Sequence, residues 1–344
     1  MTFEVSKKSP NIEAWTELQA SSPFASPFQS PGYYEFLKSQ KNHIPLVLSV
    51  CGNQSVLLAL VVIDIQSNGN RLLRPFTSRA IVHGGPLILP DCPSEALELL
   101  MSEAIEFSRQ NKAVYFEIRP YFDYSEYADN FSLYGMKFID YGDCIVDTSS
   151  LDTIDRNIQP RKGRQIRAAI RQGIRFVDNP TDETQIRDFY AMLRQKHWQR
   201  SGRPVPSLQY FLDLSKTSLA SILLAYYQDE MIAGSVILHL PSNMAISSQQ
   251  SVYHYYVAGL DDIYDNLAPS SVITYHSLQY SNQIGSRQIS LMGAGRLSVP
   301  FGVRDFKVRM GARVVPYGRY LFLIHPFIYK LASFALNLLH RSDT

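Results

Sequence analysis

Residues 285–320, GSRQISLMGAGRLSVPFGVRDFKVRMGARVVPYGRY, constrain the fold more than any other part of the chain. Polar and apolar residues alternate from Gln288 to Leu291, which predicts the end of a strand. Gly293, Gly295 and Gly302 follow, predicting a glycine-rich loop, and Phe306-Lys307, expected on a strand that the Phe306 ring anchors in the core, leads to Gly311 four residues later. Glycine has no Cβ, so a strand that breaks into such a loop lets backbone approach a ligand closely. The stretch holds seven bases (Arg287, Arg296, Arg304, Lys307, Arg309, Arg313, Arg319) against one acid, Asp305. It reads as a site for something anionic, or as a solvated basic loop.

A chain of 344 residues exceeds one typical core and predicts two domains. Its net charge is only +2, but residues 156–175 carry seven bases and no acid. With residues 285–320 they hold 14 of the 33 Lys and Arg, so positive charge is concentrated and an anionic partner is expected. The three cysteines, Cys51, Cys92 and Cys144, are odd in number and widely spaced, which fits a reducing compartment rather than a disulfide framework. No apolar core of a signal peptide opens the sequence, and no run of about 20 apolar residues occurs, so a cytoplasmic protein is expected.

Several chemistries lack their residues. The eight histidines form no His-x-x-x-His and no cluster with cysteine, so no metal is expected. There is no Gly-x-Ser-x-Gly elbow and no P-loop. Gly293-x-Gly295 follows a strand, but Ser298 stands where a third dinucleotide glycine belongs and Pro300 opposes a following helix.

Along the chain, residues 12–20 predict a helix and residues 21–31 a Ser/Pro-rich loop. Residues 45–50 and 56–65 predict a hairpin across Cys51-Gly52-Asn53-Gln54, with the run after Val56 buried on both faces. A further strand pair is expected around His83-Gly84-Gly85-Pro86. Residues 93–110 predict an amphipathic helix, with Leu97, Leu100, Met101 and Ile105 on one side. Residues 113–118 predict a strand ending at Glu117 and Arg119, an ion pair. Residues 161–173, RKGRQIRAAIRQG, place Arg164, Arg167 and Arg171 on one helical face and Ile166, Ala169 and Ile170 opposite. Helices over 182–200, 207–216 and 269–283, a hairpin across Asp229-Glu230 and a strand over 252–258 complete a mixed α/β order. Residues 326–341 predict a short apolar helix that either packs on the first domain or lies at a membrane interface.

These segments together resemble the FemAB family of aminoacyl and acyl transferases. The resemblance rests on Gln29-Ser30 followed by Tyr34-x-x-x-Lys38, on Gly84-Gly85-Pro86, on the basic helix, and on the glycine-rich stretch with Phe306-Lys307 and Gly311. Residues 135–147 resemble the strand that closes the family's first domain. The family often places an Asp before its glycine-rich loop, where this chain has Leu291-Met292-Gly293, and no coiled-coil arm is present.

The resemblance implies a mixed α+β chain of two GNAT-like domains, each a mixed, mostly antiparallel sheet flanked by helices. The first would span residues 1–150, with the tail 318–344 packing back on it, and the second 151–317. It implies an N-acyltransferase that forms an amide bond without a cofactor. Aminoacyl-tRNA or acyl-CoA would be the donor, and an amine on a cell-wall, lipid-linked or nucleotide-linked sugar precursor the acceptor. A non-catalytic binder of RNA or of a membrane surface is the alternative from another class. Acyl transfer to an amine needs donors aimed at the carbonyl oxygen and cations that hold phosphates. Lys307 is the expected catalytic residue. Lys38, Arg164, Arg167, Arg171, Arg203, Gly293, Gly295, Arg296 and Arg304 are the expected substrate-binding residues. Partners would be an anionic or lipid-linked sugar substrate, tRNA and the inner face of a membrane.

Overall fold

The computed structural model describes residues 2–67, 74–202, 204–240 and 250–332. They divide into two units, one made of the chain up to Tyr141 together with the chain from Pro316 onward, the other lying between Gly142 and Val315.

In the first unit the run after Val56 becomes a central strand, because both of its faces are covered. Strands β1 (Glu4–Ser6), β2 (His43–Cys51), β3 (Leu57–Gln66), β4 (Arg79–Gly84), β5 (Leu87–Ile88), β6 (Tyr115–Pro120), β7 (Lys137–Ile139) and β15 (Arg319–Leu323) form one sheet. Its order is β1-β2-β3-β4-β6-β15-β7, with β5 also on β3. Only β4 and β6 run parallel; every other pair is antiparallel. Ala59, Val61, Ile63 and Ile65 of β3 feed one core with Leu97, Leu100, Met101 and Ala104 of the helix Ser94–Gln110. The alternate residues Leu60 and Val62, with Leu57 at the strand's start, feed another with Trp15 and Leu18 of the helix Ile12–Ser21. A period-two strand between two apolar layers must read as continuous hydrophobicity.

The second unit is built on β8 (Gly142–Asp147), β9 (Ile174–Asp178), β10 (Ala220–Tyr227), β11 (Glu230–His239), β12 (Gln250–Gly259), β13 (Gln288–Gly295) and β14 (Arg313–Val315). The order is β14-β8-β13-β12-β11-β10-β9, and β12–β13 is its one parallel pair. Its core joins Ile166 and Ala169 of the helix Pro160–Arg171 to Val272, Ile273 and Leu278 of the helix Pro269–Gln283. Proline at the first turn opens both helices, where its missing N–H costs nothing.

Four expectations are corrected here. Residues 135–147 are two strands, not one: β7 joins the first sheet and β8 the second, and the units divide between Tyr141 and Gly142 rather than at Ser149-Ser150. β4 and β5 do not pair with each other; both pair with β3, because Gly84 (φ +83°) and Gly85 (φ +85°) turn the chain there. Gly293 and Gly295 lie inside β13, so the loop proper starts at Arg296. Phe306 and Lys307 stand on a helix, Gly302–Arg309, not on a strand. Pro300 does not prevent that helix, which begins two residues after it. Val303, Phe306 and Met310 recur at helical spacing, and Phe306 and Met310 pack on the core.

Candidate active site

β12 and β13 are hydrogen-bonded neighbours only as far as Tyr253 and Ser290. Beyond that point β12 continues against β11, and β13 continues against β8, on which it has lain since Gln288, pairing Gly293 with Asp143 and Gly295 with Gly142. The two parallel strands part, and a wedge opens between them. The parting has a local cause on β13. Its register with β8 slips between Ser290 and Gly293, and Met292 has φ +64°, the left-handed region that non-glycine residues rarely enter. Such a backbone costs about 1–3 kcal/mol and persists only where its surroundings hold it.

Lys307 is one of the groups that hold it. From the helix Gly302–Arg309 its Nζ donates to Met292 O at 3.1 Å and to Gly293 O at 2.9 Å. An ammonium has three donors, so among the described contacts one N–H is left over. The side chain is half-buried, and burial lowers its pKa below the usual 10.5. The charges of Cys144 and Asp143 pull it back up, while the cation of Arg200 adds to the lowering. Lys307 does not pair with the nearby Asp305 among the described contacts.

Asp143 is the residue that the sequence did not reveal. No carboxylate precedes Gly293 on its own strand, but β8 delivers one from the neighbouring strand. Asp143 is buried; its Oδ2 accepts from Ser290 Oγ at 2.8 Å and its Oδ1 from Cys144 N at 2.7 Å. His254 of β12 is buried close enough to Lys307 to feel its charge. Burial first, then that cation, push its pKa down to about 3, so the imidazole is neutral at ordinary pH. Its Nε2 lies 3.4 Å from Ser277 Oγ, which is 2.9 Å from Ser235 Oγ. The wedge therefore presents one cation, a neutral imidazole and a buried carboxylate. Of these groups only the Lys307 cation has the sign to stabilise negative charge on a bound carbonyl oxygen; the carboxylate is spent on Ser290 and Cys144 N.

The other expected residues are placed as follows. Arg164, Arg167 and Arg171 share the exposed face of their helix, opposite Ile166 and Ala169. Arg296 is exposed just past β13. Arg304 is directed inward: Nη1 donates to Ala294 O (3.3 Å) and Arg296 O (2.9 Å), and Nη2 to Val299 O (2.7 Å), so it folds the loop rather than facing solvent for a ligand. Gly295, at φ +72°, lets Phe301 close over it, since a Cβ there would lie 2.9 Å from the ring. In the first unit Lys38 is paired with Glu35, 3.0 Å from both oxygens, which raises its pKa. Arg203 lies outside the described residues. A shallow depression of about 410 Å³ on the same sheet, walled by Asp147, Asn157, Gln288 and Arg313, gathers no group of the wedge.

Gln29, Ser30 and the Gly84-Gly85-Pro86 turn are joined. Gln29 Nε2 donates to Gly85 O (2.7 Å), Tyr124 Oη to Gly84 O (3.1 Å) and Pro86 O (2.7 Å), and Ser30 Oγ caps the helix Pro31–Ser39 by accepting from Tyr33 N. These motif residues build the first sheet's turn.

No helix among the described residues is long and apolar enough to cross a membrane, and no group of three His, Cys, Asp or Glu among them comes together as a metal site.

Neither a family model nor a curated protein matches the sequence. Among solved structures the chain is similar to FemX, with a TM-score of 0.70 at 14% identity over 95% of this chain and 99% of that one. It is also similar to a tandem GNAT protein from the clavulanic acid biosynthesis pathway (TM-score 0.57, 12% identity, 93% and 97% covered). L-PGS from Bacillus licheniformis is similar too (TM-score 0.54, 14% identity, 98% of each chain). The chain thus has the mixed α+β fold of tandem GNAT and FemX-like proteins, two GNAT-like units in one polypeptide.

Proposed function

We propose that this chain is an N-acyltransferase of FemAB type, moving an aminoacyl group from aminoacyl-tRNA to an amine on a cell-wall, lipid-linked or nucleotide-linked sugar precursor. The observation that carries the reading is the wedge between β12 and β13, with the half-buried Lys307 ammonium held on its β13 side and one N–H remaining among the described contacts. In this reaction the acceptor amine attacks the donor ester, and charge collects on the carbonyl oxygen before the C–O bond breaks. A fixed cation at that oxygen is already oriented, so no reorganisation accompanies the step. The likeness to FemX and to a tandem GNAT protein supports the reaction class.

An aminoacyl ester suits the site better than acyl-CoA. The segment that follows β12 carries Asp261, Asp262 and Asp265, and it leads to the helix Pro269–Gln283. Asp261 already occupies that helix N-terminus, accepting from Ser270 N at 3.2 Å and from Ser270 Oγ. A pyrophosphate approaching there would meet carboxylates instead of free N–H groups. The exposed row Arg164, Arg167 and Arg171 offers the phosphate contacts that a tRNA donor needs. In the first unit, Phe327 (79% exposed) and Leu331 (51% exposed) stand one helical turn apart beside Lys330, which supports peripheral contact with a membrane carrying a lipid-linked acceptor.

The test is incubation with charged tRNA and, separately, with acyl-CoA, each with an amine-bearing cell-wall or sugar-nucleotide precursor. Amide product from charged tRNA is expected. Product from acyl-CoA alone would overturn the donor assignment, and RNA binding with product from neither donor would turn the reading to a non-catalytic binder.

A further inference from the structure

The hydrogen bonds around Met292 form one continuous chain from a buried carboxylate to the Lys307 ammonium. Asp143 is 4% exposed and Ser290 fully buried. The Ser290 hydroxyl does two things at once: it donates to Asp143 Oδ2 at 2.8 Å and accepts from Met292 N at 2.8 Å. Cys144 N occupies the other Asp143 oxygen at 2.7 Å, which fixes the carboxylate's rotation. With its N–H drawn back to Ser290, Met292 takes φ +64°, and the carbonyls of Met292 and Gly293 meet Lys307 Nζ. A β-strand left to itself would not present two consecutive carbonyls to one cation, because successive carbonyls point opposite ways.

We propose that Asp143 and Ser290 are positioning residues that, through the Met292–Gly293 bulge, fix the direction of the Lys307 ammonium. Its use in transfer rests on the function proposed above; the latch itself does not. The charged and titratable groups facing Lys307 are Asp143 and Cys144 of β8, His254 of β12, and Arg200 of the helix Glu183–Ser201. Asp143 is thus the carboxylate that opposes the surrounding cations.

A readout independent of turnover is competitive acetylation of Lys307 across pH, quantified by peptide mass spectrometry. Asp143→Asn removes a negative charge beside the ammonium, so the labelling midpoint moves to lower pH. Ser290→Ala keeps the charge and frees the Met292 N–H, so labelling at fixed pH speeds up. Adding Met292→Gly to Ser290→Ala slows labelling again, because glycine adopts φ +64° without a latch. Should Asp143→Asn not fold, Ser290→Ala and its glycine rescue carry the test alone. Unchanged labelling in folded variants, or no rescue by glycine, overturns the latch.

Where transfer is measured, Ser290→Ala lowers kcat roughly tenfold or more at nearly constant KM, the effect of a small misplacement of a reacting group. In a Lys307→Met background the same change adds less than about twofold, because its route through Lys307 is already gone. Fully additive losses would make Ser290 and Asp143 ordinary core residues. The labelling pattern with no transfer from any donor keeps the latch and retires the transferase reading.

Discussion

Lys307→Met tests two roles in one protein. On the sequence alone this change leaves folding intact. The structure adds a structural role, since the ammonium satisfies Met292 O and Gly293 O at a strained position. Hydrogen bonds to a charged group contribute about 1.5–3 kcal/mol each. Release from the cost of burying a cation offsets part of two such bonds, leaving a net destabilisation of about 2–4 kcal/mol. For a unit of this size that lowers Tm by about 4–16 °C. Thermal unfolding followed by circular dichroism measures it. The pH dependence gives a signature specific to this lysine. Its folded pKa lies below the unfolded 10.5, so between those two values the unfolded chain binds more protons and stability rises with pH. Lys307→Met should lose that alkaline gain. At a temperature where the variant is folded, turnover should fall roughly 100-fold, the loss seen when one preorganised donor is removed. An unchanged Tm would refute the pinning of the bulge. Near-normal turnover in the folded variant would remove Lys307 from the chemistry.

Three other outcomes are expected. His254 is buried neutral with its pKa near 3, so wild-type stability should fall as pH drops from 6.5, by up to about 1.4 kcal/mol per pH unit; His254→Gln should flatten that acid limb, measured by denaturant titration at pH 4–7. Replacing Arg164, Arg167 and Arg171 with Gln should leave Tm nearly unchanged, because all three are exposed, while lowering the salt slope of tRNA binding by roughly one for each phosphate no longer neutralised; an unchanged slope returns that helix to ordinary surface. Phe327→Glu with Leu331→Glu should abolish flotation with anionic vesicles if the helix from Pro326 lies on lipid, whereas equal flotation before and after would refute it.

The fold was legible where local pattern and tertiary need agree. The run after Val56 had to be a two-sided strand, and Leu97, Leu100, Met101 and Ile105 had to line one helical face; both are so. The tandem GNAT-like organisation was legible only through resemblance, since no internal repeat shows in the sequence. The candidate site was half legible. Lys307 stood out beside glycines, but RDFKVRM alternates well enough to pass for a strand, and only core contacts through Phe306 and Met310 select the helix. Asp143 was invisible because it meets Ser290 across 147 residues of sequence, through the pairing of β8 with β13. Reading residues 135–147 as one strand of the first domain hid it further, by assigning its carboxylate to the wrong sheet. Gln29 and Gly85 illustrate the converse. They were noticed as a family-like signature, and they meet 56 residues apart for a structural reason, to hold a turn.

The two sheets show why the wedge belongs to the second unit. Among the described residues each contains a single parallel pair. In the first unit the pair stays closed: β4 and β6 match residue for residue from Arg79 and Tyr115 to Gly84 and Pro120. The space beside it is filled by charge, with Glu117 accepting from Arg119 (2.7 Å) and Arg319 (3.1 Å), and by His83 against Tyr121 Oη at 3.1 Å. β15 then seals the far side of β6. In the second unit the pair closes for three matched positions only. β13 stays on β8, where Ser290 bonds Asp143 at the register slip, and Lys307 holds the Met292 and Gly293 carbonyls there. A strained bulge is unfavourable for a sheet and has no packing value of its own. Its presence in one unit, and the continuous ladder at the corresponding pair of the other, are the difference between the two sheets on which the proposed chemistry rests.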